Sequence, residues 1–89
     1  MSLVYRQDVS LSVMKIDIGE RQYPPTEKRI KQLAQELAEE GQRYPILVRA
    51  VTGNTYKVVC GATRLAAVRY LGWPKILARV VGGLPLDFP

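Results

Sequence analysis

Histidine is absent from this chain, and Cys60 is its only cysteine. One cysteine cannot close an internal disulfide, and without histidine the four-ligand Cys/His zinc sites and every His-based catalytic dyad or triad are excluded. Catalysis, if any, then rests on Asp, Glu, Lys, Arg, Thr, Ser, Tyr or Cys60, with a carboxylate-held Mg2+ as the remaining metal option; no protein metal site is read from the sequence. No apolar run approaches the roughly 18–20 residues that span a bilayer. The N-terminus lacks the basic-then-apolar layout of a signal peptide, so no membrane association and a cytoplasmic location are expected.

Acidic residues are missing from one half. Between Gly41 and Leu86 there is no Asp or Glu, while Arg43, Arg49, Lys57, Arg64, Arg69, Lys75 and Arg79 fall in that stretch. The overall charge is +5, but the asymmetry is more informative than the sum: it suggests an anionic partner, a nucleotide or a nucleic acid. A solvated basic surface is the competing explanation.

The 89 residues suffice for a single domain with one modest core. Segment 13–18, VMKIDI, is rich in β-branched residues and predicts a strand. Gly19, Pro24 and Pro25 mark a loop. Thr26 fits a helix N-cap with Glu27 in the first turn. Over 27–40, Ile30, Leu33, Ala34 and Leu37 form an apolar stripe, and Gly41 suits the C-cap. Residues 45–51 and 55–60 read as strands joined through TGN, a β-hairpin. A helix follows over 62–71 and stops at Gly72. Residues 75–81 form the last predicted strand, and 82–89 an extended tail. The order β-α-β-β-α-β predicts an α+β domain with a small mixed sheet, its core about 13–81.

The junction VVCGATRLAAV carries the chemistry. A helix begins with backbone N–H groups that have no internal partner and with partial positive charge. A glycine before it admits an anion close to the backbone, and an arginine in the first turn adds a fork of donors suited to phosphate. Gly61, Ala62, Thr63 and Arg64 therefore hold the ingredients of a phosphate cradle. A plain strand-to-helix turn with Arg64 in water uses the same letters. Cys60, at the end of a strand, reads as a small buried apolar residue.

Three pieces in register resemble ParB-type domains, the family that includes chromosome-partition proteins and the sulfiredoxins. They are Gly41 followed by Pro45, Ile46, Val48 and Arg49 (P-I-x-V-R); the hairpin through Tyr56 into Gly61 and Arg64 (G-x-x-R); and Ala66, Ala67 and Gly72 ahead of the closing strand. The resemblance implies a ParB/sulfiredoxin fold and a nucleotide site. It implies phosphates on Gly61–Arg64 with Arg49 as a second guanidinium, a cleft lined by Pro45 and Ile46, and polar groups from the first helix, here Arg29, Gln32 and Glu36. ADP or ATP is the expected nucleotide, with CTP next and Mg2+ as its companion. Arg43, Lys57, Arg69 and Lys75 are the expected contacts to DNA phosphates in partition or maintenance of DNA, and Tyr44, Tyr70 or Trp73 could stack on a base. The small size and apolar tail leave room for a homodimer.

The departures are specific. Partition proteins that hydrolyse CTP read G-E-R-R-x-R, where this chain has Ala62, Thr63 and Ala66 in place of Glu, Arg and Arg, and Tyr44 in place of the Gln before proline. Sulfiredoxins read G-G-C-H-R, where Ala62 and Thr63 replace Cys and His. Nucleotide binding is therefore expected without CTP hydrolysis or sulfiredoxin activity. A small phosphotransferase on the same fold is the alternative, with Glu36 and then Glu20 as candidate bases. A ParB-like nuclease is a further one, although no clustered carboxylates support it.

Overall fold

A computed structural model describes residues 8–19, 24–51 and 53–81. The chain runs β1 (Val9–Ser12), a 3-10 turn (Val13–Lys15), β2 (Ile16–Asp17), α1 (Glu27–Glu40), β3 (Ile46–Ala50), β4 (Tyr56–Cys60), α2 (Ala62–Leu71) and β5 (Lys75–Val80). The strands form one mixed sheet in the order β1-β5-β3-β4-β2. The hairpin β3–β4 is antiparallel, β5 lies parallel to β3, and β1 pairs antiparallel with β5. The α+β expectation holds.

α1 has the expected bounds for the expected reasons. The Thr26 hydroxyl accepts the Arg29 N–H at 3.2 Å, and the Gly41 N–H donates to the Leu37 carbonyl at 2.7 Å. On its outer surface Lys31 meets Glu27 at 3.1 Å. Hydrogen bonding to that carboxylate raises the Lys31 pKa above its ordinary value. Ala34 and Leu37 are buried. From α2, Leu65, Ala67 and Val68 are buried with Ile46, Val48, Ile76 and Ala78 of the sheet. α2 thus sits between α1 and the sheet. Trp73 packs against this core from its margin.

The strand expected over 13–18 is replaced by the 3-10 turn and the two-residue β2, and β1 lies upstream of it. The reason is topological. β1 and β2 are the two edges of the sheet, four strand spacings apart, about 19 Å if the sheet were flat. The link from Ser12 to Ile16 spans at most about 14 Å. The sheet must therefore curl until its edges approach, and Val13–Lys15 bridges the gap. Val13 is buried there, and its N–H donates to the Pro74 carbonyl at 3.0 Å. Arg69 latches the bridge: its guanidinium donates to the carbonyls of Val13 (3.0 Å) and Ile16.

A second side chain completes the sheet. Just ahead of β3 the Gln42 amide accepts the Leu77 N–H at 2.7 Å and donates to the Leu77 carbonyl at 2.9 Å.

Candidate functional site

The site is built where β4 passes into α2. Leu47 pairs with Cys60 but Val48 with Val58, so Val59 is an extra residue in β4. Such a bulge turns the residues after it away from regular alternation. Without it, Cys60 would share the inward side of Val58. With it, Cys60 is exposed, not buried as its sequence setting suggested.

Gly61 follows with φ +110° and ψ 26°. A Cβ at this position would lie 2.6 Å from Ile46 Cγ2 and 2.9 Å from Ile46 Cβ. Only glycine fits, because the backbone lies directly on the first residue of β3. No side chain caps α2. Among the described residues, the N–H groups of Ala62, Thr63 and Arg64 have no acceptor; the first bonded amide is Leu65, which donates to the Gly61 carbonyl at 3.0 Å.

These free donors face a cavity of about 620 Å³ lined by Gly61, Ala62, Thr63 and Arg64 on one side. Pro25, Arg29, Gln32, Leu33 and Glu36, from α1 and the residues before it, line the other side. The i, i+3, i+7 spacing of Arg29, Gln32 and Glu36 puts them on one helical face. Arg64 is half-buried and has no ion pair or hydrogen bond among the described residues. Two arginines against one carboxylate, with the positive end of the α2 dipole added, make the cavity electropositive. A smaller hollow of about 120 Å³ shares Leu33, Glu36 and Arg64 as walls and extends to Arg43 and Tyr44. Arg43 reaches Glu40 at 3.5 Å, and Tyr44 is 64% exposed.

Not every expected residue belongs to this cavity. Arg49 does not line it; with Lys57, Val58 and Val59 it lines a separate depression. Arg49 follows Val48 on β3, so when Val48 turns into the core Arg49 turns to the opposite face. Ile46 serves from below, as the floor under Gly61, and Pro45 is half-buried beside it. Arg69, expected at nucleic acid, is committed to the Val13–Ile16 bridge. Lys57 and Lys75 are exposed. Glu20 and the tail 82–89 lie outside the described residues. Pro25 and Leu33 are lining residues that pattern reading assigned to loop and core; Pro25, one position before the N-cap, was the available signal. Among the described residues no group of three or more His, Cys, Asp or Glu side chains could hold a metal ion, and no helix is long and apolar enough to cross a membrane.

A curled mixed sheet, two helices on one side, and an uncapped helix N-terminus facing a polar cavity define the ParB/sulfiredoxin class of α+β domain. Comparison with known proteins agrees. The ParB N-terminal domain family matches residues 4–83. The nucleoid occlusion protein of Oceanobacillus iheyensis is 33% identical over 79 residues, 83% of this chain and 28% of that protein. The structure of sulfiredoxin from Arabidopsis thaliana superposes with a TM-score of 0.76 at 28% identity, covering 88% of each chain. The chromosome-partitioning protein ParB of Caulobacter crescentus, solved with CTP-γ-S, superposes with a TM-score of 0.76 at 24% identity, covering 90% of this chain and 47% of that one.

The chain belongs to the ParB N-terminal domain family. It spans less than a third of the nucleoid occlusion protein and about half of the partition protein chain.

Proposed function

We propose that this domain binds a nucleoside di- or triphosphate, an adenine nucleotide first, in the cavity between α1 and the start of α2. The observation that carries the reading is the set of three free N–H groups at residues 62–64, beside an unpaired Arg64 on the cavity wall. The amides and the Arg64 guanidinium would hold the phosphates, and Arg29 would add charge from across the cleft. Glu36 is the one carboxylate among the cavity's lining residues. Mg2+ would therefore travel with the phosphates rather than sit in a protein cage. A bound ParB nucleotide in the Caulobacter crescentus structure supports the class of ligand. The smaller hollow with exposed Tyr44 offers a flat aromatic surface at the edge of the same cleft.

The second reading is a phosphotransferase, in which Glu36 on the cavity wall would accept a proton from a hydroxyl acceptor in the cleft.

Thermal melting with ATP, ADP, AMP and CTP, with and without Mg2+, tests the proposal. A ligand at ten times its Kd stabilises the native state by about 1.4 kcal/mol. For a domain of this size that is a rise of roughly 6–11 °C. Arg64→Ala, which removes no side-chain hydrogen bond or ion pair among the described residues, is expected to melt near wild type alone but to lose most of the nucleotide-induced rise. No rise with any nucleotide at millimolar concentration refutes the reading. Release of ADP from ATP with a small hydroxyl acceptor, lost in Glu36→Gln, would establish the phosphotransferase activity.

A further inference from the structure

The two hollows of the cleft share one wall. Leu33, Glu36 and Arg64 line both the cavity of about 620 Å³ and the hollow of about 120 Å³ beside it. On either side of that wall the chemistry differs. The large cavity faces the free N–H groups of residues 62–64, and the small one is walled by exposed Tyr44. A nucleotide has the same order, with phosphates at one end, a base at the other and the sugar between. Phosphates on the start of α2 and a base against Tyr44 leave the ribose at the shared wall, where Glu36 stands.

A carboxylate is poorly suited to a phosphate site. Phosphate oxygens are anionic acceptors, so a carboxylate beside them repels them and receives no hydrogen bond in return. The fold does not neutralise this one. The other acids of α1 are engaged: Glu27 by Lys31, Glu40 by Arg43, and Glu39 by the Gln35 amide at 3.4 Å. Among the described residues the Glu36 side chain has no ion pair or hydrogen bond, although Arg64 lines the same two hollows. A ligand that satisfies an ionised carboxylate must donate to it. The donors that a nucleotide carries between its phosphates and its base are the sugar hydroxyls, and an acidic residue reads the ribose in this way in dinucleotide sites.

We propose that Glu36 sets the sugar specificity of the cleft: its carboxylate accepts hydrogen bonds from the 2′- and 3′-hydroxyls of the bound nucleotide, and the cleft thereby selects ribonucleotides over 2′-deoxyribonucleotides. This role rests on the nucleotide reading of the cleft, and it gives the carboxylate a binding task in place of a proton-transfer one. A ligand without the 2′-hydroxyl loses a hydrogen bond to a charged acceptor and still meets the repulsion between Glu36 and its phosphates. Truncating Glu36 acts on two ligands in opposite directions. It removes a contact made by ribonucleotides alone, and it relieves a repulsion felt by every phosphorylated ligand.

The test is thermal melting over concentration series of ATP, 2′-dATP, CTP and 2′-dCTP with Mg2+, from which affinities follow. Wild type is expected to bind a ribonucleotide about tenfold more tightly than its 2′-deoxy counterpart. In Glu36→Ala the two members of a pair are expected to bind alike, because the ribonucleotide weakens while the deoxynucleotide holds or tightens. Inorganic tripolyphosphate, which has no sugar, is expected to bind this variant no more weakly than wild type. Glu36 is exposed on α1 and alanine is a strong helix former, so the variant is expected to fold; the wild-type comparison decides the matter even without it. Equal affinity of wild type for ribo- and deoxynucleotides overturns the sugar role and leaves the nucleotide reading standing. A carboxylate that reads the base, or that only moves a proton, gives that result. A ribonucleotide preference that persists in Glu36→Ala overturns the role of this residue as well. No rise with any of these ligands overturns the nucleotide reading and the sugar role together.

Discussion

Replacing Gly61 with alanine tests the architecture of the cleft at its tightest point. Two costs combine. The backbone stands at φ +110°, a conformation that costs an L-residue about 1–3 kcal/mol. The new methyl would also lie 2.6 Å from Ile46 Cγ2, 2.9 Å from Ile46 Cβ and 3.3 Å from Ile46 Cα. Overpacking of that kind costs about 1–3 kcal/mol. The backbone of β3 cannot retreat without disturbing its pairing with both β4 and β5. The sum, about 2–6 kcal/mol, is a large share of the roughly 4–13 kcal/mol expected for a domain of this length. Gly72→Ala is the internal control. Gly72 also has positive φ, +79°, but a Cβ there meets nothing within 4 Å, so only about 1–2 kcal/mol of backbone strain applies. Equilibrium urea unfolding, with the m-value checked for constancy, is expected to show Gly61→Ala less stable than Gly72→Ala by about 1–3 kcal/mol. Adding Ile46→Ala removes Cγ2 but leaves Cβ in place, so the double variant is expected to recover part of the clash cost as a coupling of about 0.5–3 kcal/mol. If Gly61→Ala and Gly72→Ala agree within about 0.5 kcal/mol, the close seat of Gly61 on Ile46 is refuted.

Other expectations follow from single contacts. Arg69→Met keeps the apolar stem but releases the Val13 and Ile16 carbonyls, and is expected to cost about 1.5–3 kcal/mol in urea unfolding. Unchanged stability would mean that the guanidinium does not fasten the Val13–Ile16 bridge. Cys60, exposed beyond the bulge, is expected to react with a chromogenic disulfide in the native protein at nearly the rate seen in urea. Protection by orders of magnitude would mean that the bulge at Val59 is absent.

The readable parts of this fold are those whose causes are local. α1 could be bounded at both ends because Thr26 and Gly41 are caps, and caps act within one helical turn. The hairpin and α2 followed from periodicity and turn residues, and Gly61–Arg64 from the chemistry of a helix start. The cleft partners Arg29, Gln32 and Glu36 came from family resemblance joined to helical spacing. What pattern reading missed depends on distant residues. Val9–Ser12 is a short edge strand, defined by pairing with β5 far along the chain. Val13–Lys15 has strand composition, but closure of the sheet bends it into a turn. The bulge at Val59 is a mismatch between two strands and is invisible in either one alone; it moved Cys60 to the surface. Arg49 and Arg69 are both basic residues in an acid-free half. One faces the outer side of the sheet and the other is tied to a backbone bridge, and charge count does not distinguish these fates.

The curled sheet has a consequence for biosynthesis. Among the described residues β1 pairs only with β5, and the bridge beside it is fastened by Arg69 and Pro74. β1 must therefore wait for β5, encoded far downstream, for several seconds at about 5–20 residues per second. Until then Leu11, Val13 and Ile16, all part of or packed against the finished core, have no place to go. The interval in which this segment is most open to capture by chaperones or by another nascent chain is set by where the partner of β1 is encoded.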